Sequence, residues 1–161
     1  MKKFTAIAIA VLCIAFVLVS AACGGNDGPK EVTKSAEAIY ALVSAAGKFG
    51  GMTAVPARDM EDVYGVDPSK IAESAWYMSE NPSLNADEAG IFKVNDAAYA
   101  DTLAGLLRDR IARQLQVAET YSPDEAAKLK AAQVVTAGDW VYYCVGAENA
   151  AMMEVLRAEI G

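Results

Sequence analysis

The chain has 161 residues, with 14 basic side chains, 21 acidic ones, three cysteines and no histidine. Its length suits a single domain that can bury a core without metal or disulfide staples. The acidic balance argues against nucleic acid as a partner, and the lack of histidine excludes Ser-His-Asp and Cys-His catalysis as well as His-ligated zinc.

The N-terminus reads MKKF and then runs apolar through Ala22, which is the charged n-region, h-region and small-residue exit of a secretory signal. Three fates fit it. Phe4 to Ala22 spans 19 residues, close to the roughly 20 that cross a bilayer; Ser20-Ala21-Ala22 resembles an A-x-A cleavage site; and Ser20-Ala21-Ala22-Cys23 resembles a lipobox, with Ser20 standing where lipoprotein signals usually carry leucine. Cys23 favours the third. Its thiol is the one side chain there nucleophilic enough to take a diacylglycerol as a thioether before cleavage frees its amine. Two acyl chains, at about 0.8 kcal/mol per buried methylene, then hold the protein at the membrane.

The expected organisation is a signal peptide over 1–22, a flexible tether over 23–30 that opens on Cys23 and continues GGNDGPK, and one extracytoplasmic domain over 31–161. Removing 22 residues leaves 139, with 12 basic side chains against 21 acidic, so the domain should stand off anionic lipid rather than lie on it. Cys13 leaves with the signal and Cys23 carries lipid. Cys144 is then alone, and no intrachain disulfide is possible.

In the domain, Val32, Ala36, Ile39, Val43 and Ala46 recur at helical spacing, which predicts a helix over 31–46 that Gly47 stops. Asp59 is placed to cap a short helix ending at Gly65. Residues 71–79 alternate as a strand, with Ala72, Ser74, Trp76 and Met78 on one side and Ile71, Glu73, Ala75 and Tyr77 on the other. A second strand covers 88–94. Asp96 caps a long helix over 97–120, whose stripe of Tyr99, Leu103, Leu107, Ile111, Leu115 and Ala118 faces inward. Ser122-Pro123-Asp124-Glu125 combines a serine cap, proline at the first helical place and a glutamate three residues after the cap. Two strands, 133–137 and 140–146, flank a glycine-first turn at Gly138-Asp139. Asn149 caps the last helix.

Strands in adjacent pairs between helices predict an α+β fold: a two-layer sandwich, with a four-stranded antiparallel sheet of two hairpins and helices mainly on one face. The segments DMEDVYGVDPSKI, GIFKVND and AQVVTAGDWVYYCV resemble a family of small bacterial lipoproteins, domain of unknown function 4358, over about Lys30 to Gly161. The resemblance implies an extracytoplasmic lipoprotein, typically of Gram-positive bacteria, with no assigned activity and no catalytic residues to carry over.

The sequence contains no S-x-x-K, GxSxG or phosphate-cradling GxxxxGK pattern. Asp59, Glu61, Asp62 and Asp67 suggest calcium, but a loop begun at Asp59 has Val63 at its fifth place, Tyr64 at its sixth and Lys70 where a bidentate glutamate belongs. Glu73, Asp87 and Glu88 offer carboxylate pairs for glycan hydrolysis, as any acidic chain does. Trp76, Tyr77, Trp140, Tyr142 and Tyr143 lie on predicted strands as core, with Tyr77 and Tyr143 the members expected to be exposed as a binding surface. Cys144 reads as a buried, inert thiol. The expectation is a non-enzymatic, cofactor-free domain, lipid-anchored through Cys23, that binds a protein or envelope component. The runner-up is an accessory subunit of an envelope transport or wall-assembly complex, and a carboxylate-dependent envelope hydrolase comes third.

Overall fold

A computed structural model of the chain describes residues 31–161. The signal segment, Cys23 and the tether through Lys30 lie outside the described residues.

The first helix, α1 (Ala36–Gly47), starts later than its apolar spacing suggests because Ser35 caps it, its side chain accepting from Ala38 N–H at 3.2 Å. Glu73 accepts from Ala36 N–H at 3.0 Å and ties that end of the helix to the sheet. The helix ends on Lys48 in the left-handed region, φ 51°. Gly47 itself is buried where a Cβ would meet Met152. After β1 (Met52–Ala54) comes α2 (Ala57–Asp62), which Pro56 rather than Asp59 precedes, so the predicted Asp59 cap is not formed. Asp67 caps a 3-10 turn, Pro68–Lys70, that leads into β2 (Ile71–Ser79). The bonds from Ser69 to its carboxylate hold the Asp67 pKa below its ordinary range.

β2 pairs with β3 (Glu88–Val94) as an antiparallel hairpin, and Ala72 is an extra residue between the pairs Ile71–Val94 and Glu73–Lys93. That bulge turns Ile71 to the side of Trp76, not to that of Ala75 where strict alternation puts it. Asp96 caps a second 3-10 turn that runs into α3 (Ala100–Tyr121), where Leu103 and Leu107 are buried, each contributing about 1.5–3 kcal/mol. α4 (Pro123–Ala131), β4 (Val135–Ala137), β5 (Trp140–Val145) and α5 (Asn149–Glu159) complete the chain. The β4–β5 turn is glycine-first, with Gly138 at φ 61°. Asn149 does not cap α5; its side-chain amide donates to Cys144 O at 2.7 Å.

The fold is α+β with one open antiparallel sheet in the order β1-β2-β3-β5-β4. It has five strands where four were expected. β1 is three residues long, too short to show alternation, and only its pairing with Tyr77–Ser79 makes it a strand. Helices cover both faces rather than mainly one. Trp76, Phe92, Val94, Val141 and Tyr143 pack with α3, while Ala75, Ile91, Trp140, Tyr142 and Cys144 pack with α1 and α5. Doubly buried strands read as near-continuous apolar runs, and β3 and β5 do.

Candidate functional site

On the α3 face the side chains of Glu88, Phe92 and Val94 follow the two-residue period of β3, with Gly90 between them. Gly90 is paired with Trp76 on one side and Tyr143 on the other. A Cβ at Gly90 would lie 2.5 Å from Tyr143 Cε1 and 2.7 Å from Phe92 Cε2, so only glycine lets the rings close over this point. Both cross-strand aromatics then reach Glu88: Trp76 Nε1 donates to Oε1 at 2.8 Å, and the Tyr143 hydroxyl donates to the same oxygen. From α3, Arg110 donates through Nε to Oε1 at 2.8 Å and through Nη2 to Oε2 at 2.7 Å. Gln114, one turn on, donates to Oε2 at 3.4 Å. The Arg110 guanidinium stacks 4.3 Å from the centre of the Tyr64 ring.

Glu88 is 1% exposed and saturated with donors. A carboxylate has about four acceptor sites, and here five N–H or O–H groups converge on two oxygens. No lone pair is left for a substrate. Burial pulls the Arg110 pKa down, but the bonds and charge of Glu88 outweigh this and raise it overall. Burial pushes the Tyr143 hydroxyl well above its ordinary range, and the Glu88 charge pushes the same way. Arg110 therefore keeps its charge and Tyr143 its proton, and the chemistry of the cluster is that of a clamp holding α3 to the sheet.

The clamp sets one wall of a groove of about 550 Å³. Its walls are Leu84 on the β2–β3 loop and Arg113, Gln114, Val117 and Tyr121 on α3, with Leu129 of α4 contributing to the lining. Clefts of roughly 300–1,000 Å³ with apolar lining are the usual form of ligand sites. Leu84 is 75% exposed, Val117 61% and Tyr121 82%, so the groove gathers three of the five large exposed apolar side chains found among the described residues. A cleft of similar volume between α3 and β4, edged by Arg108 and Lys130, contains none of them.

The loop wall is held in place. A turn at Asn81, whose carbonyl accepts from Leu84 N–H at 3.0 Å, presents Leu84 at the tip. Glu125 does not close the predicted capping box on Ser122; its carboxylate accepts from Ala86 N–H at 2.7 Å. Lys128 bridges Asp87 at 2.9 Å and Glu125 at 3.0 Å. Burial lowers the Lys128 pKa, but the bonds to Asp87 and Glu125 prevail and raise it.

The two tyrosines expected at the surface are not brought together. Tyr143 is buried on the α3 face, because β5 is covered on both sides. Tyr77 is half-buried on the opposite face, stacked on Tyr40 at 3.9 Å with its hydroxyl donating to Glu37 at 3.1 Å. The carboxylates considered for hydrolysis are dispersed too. Glu73 lies on the α1/α5 face of the sheet and Glu88 on the other, and Asp87 is paired with Lys128. Cys144 is buried, and desolvation pushes its thiol up to about 12. Among the described residues no group of three or more His, Cys, Asp or Glu side chains is arranged to hold a metal, and no helix is long and apolar enough to cross a membrane.

Arg110, Gln114 and the groove were not read from the sequence. The signals were present: Glu88 shares a strand face with Phe92 and Val94, Arg110 and Gln114 sit beside the Leu107–Ile111 stripe, and Val117, Tyr121 and Leu84 are large apolar residues outside any core pattern.

The sequence profile of a family described as domain of unknown function (DUF4358) matches residues 45–146. The chain belongs to the DUF4358 family. No curated protein and no solved structure matches it. The DUF4358 match includes all five strands, α3, α4, the Glu88 clamp and the groove, and leaves α5 and most of α1 outside.

Proposed function

We propose that this DUF4358 chain is an extracytoplasmic lipoprotein, anchored through a diacylglycerol on Cys23, whose folded domain binds a protein or envelope component without catalysing a reaction. The observation that carries the binding role is the groove. An immobilised apolar cleft with Leu84, Val117 and Tyr121 left open to water is disfavoured unless something covers it. The anchor is carried by the sequence at Val19 to Asn26, where an apolar run gives way to cysteine and then glycine. A saturated Glu88 and dispersed carboxylates support a binding role over hydrolysis.

Two measurements test this reading. Mass spectrometry of the mature N-terminus is expected to find diacylglyceryl-Cys23, and Cys23→Ala to abolish processing and lipid attachment; normal processing and membrane retention of Cys23→Ala would contradict the anchor. Photo-cross-linking from position 84 in cells is expected to capture a discrete partner, and Val117→Asp to remove it. If that partner is one integral membrane protein in every preparation, the domain is the accessory subunit of a membrane complex.

A further inference from the structure

We infer that the groove takes the C-terminal end of a partner polypeptide, three or four apolar residues closing on a free carboxylate that pairs with Arg113; this rests on the binding role proposed above and names its ligand.

The groove's length, charge and unmet hydrogen bonding converge on that chemistry. Arg113, Val117 and Tyr121 recur every four residues along α3 and all line the groove, so they mark one wall of it. Eight residues of helix extend about 12 Å at 1.5 Å per residue, which matches three to four residues of extended chain at about 3.3 Å each. The apolar end of this wall is Val117 and Tyr121, faced by Leu84 across the opening.

The other end is cationic. The domain is acidic, and its basic side chains are mostly engaged: Lys34, Lys48, Arg58, Lys93, Arg110, Lys128 and Lys130 in ion pairs, Arg108 and Arg157 in hydrogen bonds to neutral oxygens. Among the described residues Arg113 enters neither kind of contact, and Asp109 one turn away does not come within ion-pair distance of it. An exposed guanidinium beside an apolar cleft suits a carboxylate, which it binds through two parallel N–H bonds.

Gln114 supplies the third feature. Its Nε2 is committed to Glu88, which fixes the orientation of the amide, since the reversed amide would set Oε1 against a carboxylate. Its Oε1 has no partner and is covered by its own surroundings, so a ligand N–H reaches it when the half-buried Gln114 side chain, which lines the groove, shifts toward the opening. A fatty acid carries an apolar chain and a carboxylate but no N–H. A polypeptide C-terminus carries all three, with an amide N–H next to the terminal carboxylate.

The test uses the full-length chain in detergent and two pools of pentapeptides randomised over Ala, Val, Leu and Phe, one with a free C-terminus and one amidated. Retention is read by ultrafiltration and mass spectrometry. The wild type is expected to retain the free-acid pool at least tenfold over the amidated pool. Arg113→Gln should erase the difference, and Val117→Asp should abolish retention of both; both positions are exposed, and near-UV circular dichroism verifies that the variants fold. Equal retention of the pools by the wild type, retention of neither, or retention undiminished by Val117→Asp overturns the inference. Laurate serves as the separating probe: laurate bound in a Val117-dependent manner without peptide retention overturns the peptide ligand while leaving the binding groove in place.

Discussion

The two faces of the sheet solve the same packing problem differently. Under α1 and α5, Ala75, Ala89, Ile91, Tyr142 and Cys144 meet Ile39, Val43, Met152 and Leu156 in a contact that is almost wholly apolar. Under α3, a carboxylate and a guanidinium are buried among Trp76, Tyr143 and Tyr64. Apolar packing tolerates small slides of a helix, because any similar volume fills the space. A two-pronged ion pair with saturated acceptors does not, since a shift of 1 Å leaves a buried charge partly unmet. The polar face is the one whose helix carries the groove. Its clamp fixes where Arg113, Gln114, Val117 and Tyr121 stand relative to the β2–β3 loop.

Cutting one side of the clamp should produce the largest difference between the faces. Arg110→Met leaves Glu88 buried without its cation and is expected to cost about 3–5 kcal/mol in urea unfolding. Adding Glu88→Leu should recover much of that loss, because the unpaired charge is gone. A single Arg110→Met variant as stable as the wild type would show that the ion pair contributes nothing to folding.

Crowding the clamp is milder. Gly90→Ala places a methyl group against the Tyr143 and Phe92 rings, and overpacking of this kind costs about 1–3 kcal/mol. Because the rings also position the donors to Glu88, the variant should weaken peptide or partner binding at the groove as well, read by the retention assay above. Unchanged stability would mean that the aromatic rings yield freely.

The smallest effect separates the faces by pH. Cys144 belongs to the apolar face and Tyr143 to the polar one, and both have raised pKa values, so the unfolded chain loses these protons first. Their contribution to stability is therefore full below pH 9 and falls as pH rises, by about 1.4 kcal/mol per unit for each group titrating. Between pH 9 and 10 the fall belongs to Cys144, whose thiol is pushed up to about 12, and Cys144→Ala should flatten that interval in denaturant titrations. Above pH 10 Tyr143 joins, together with Tyr40, Tyr77 and Tyr142 on the apolar face, whose hydroxyls burial also raises, and the decline steepens. A Cys144→Ala profile identical to the wild type across pH 9–10 would contradict this assignment.

Much of the fold was legible because its signals are local. The stripe from Leu103 to Ile111, the glycine-first turn at Gly138 and the proline at the start of α4 each specify an element without help from distant residues. What escaped is non-local. Met52–Ala54 becomes a strand only by pairing with β2, and Glu125 leaves its expected cap because Ala86 N–H, 39 residues away, offers a better donor. The covering of both faces was written in the near-continuous burial of β3 and the unbroken apolar run of β5, which an alternating reading overlooks. The site was the least legible part. Tyr143 reads as a surface aromatic until Gly90 and Glu88 are seen beneath it, and the groove depends on a loop and two helices meeting in space. The proposed anchor at Cys23 is read from the apolar run and the cysteine that ends it.

The difference between the faces is tested most directly by placing a photo-cross-linking residue in cells at Leu84 in the groove and, separately, at Leu42, which is 40% exposed on α1 across the sheet. The proposed binding role of the groove predicts a discrete cross-linked species from position 84 that Val117→Asp eliminates, with none from position 42. Capture from position 42 alone, or from both positions regardless of Val117→Asp, would contradict the assignment of function to the α3 face.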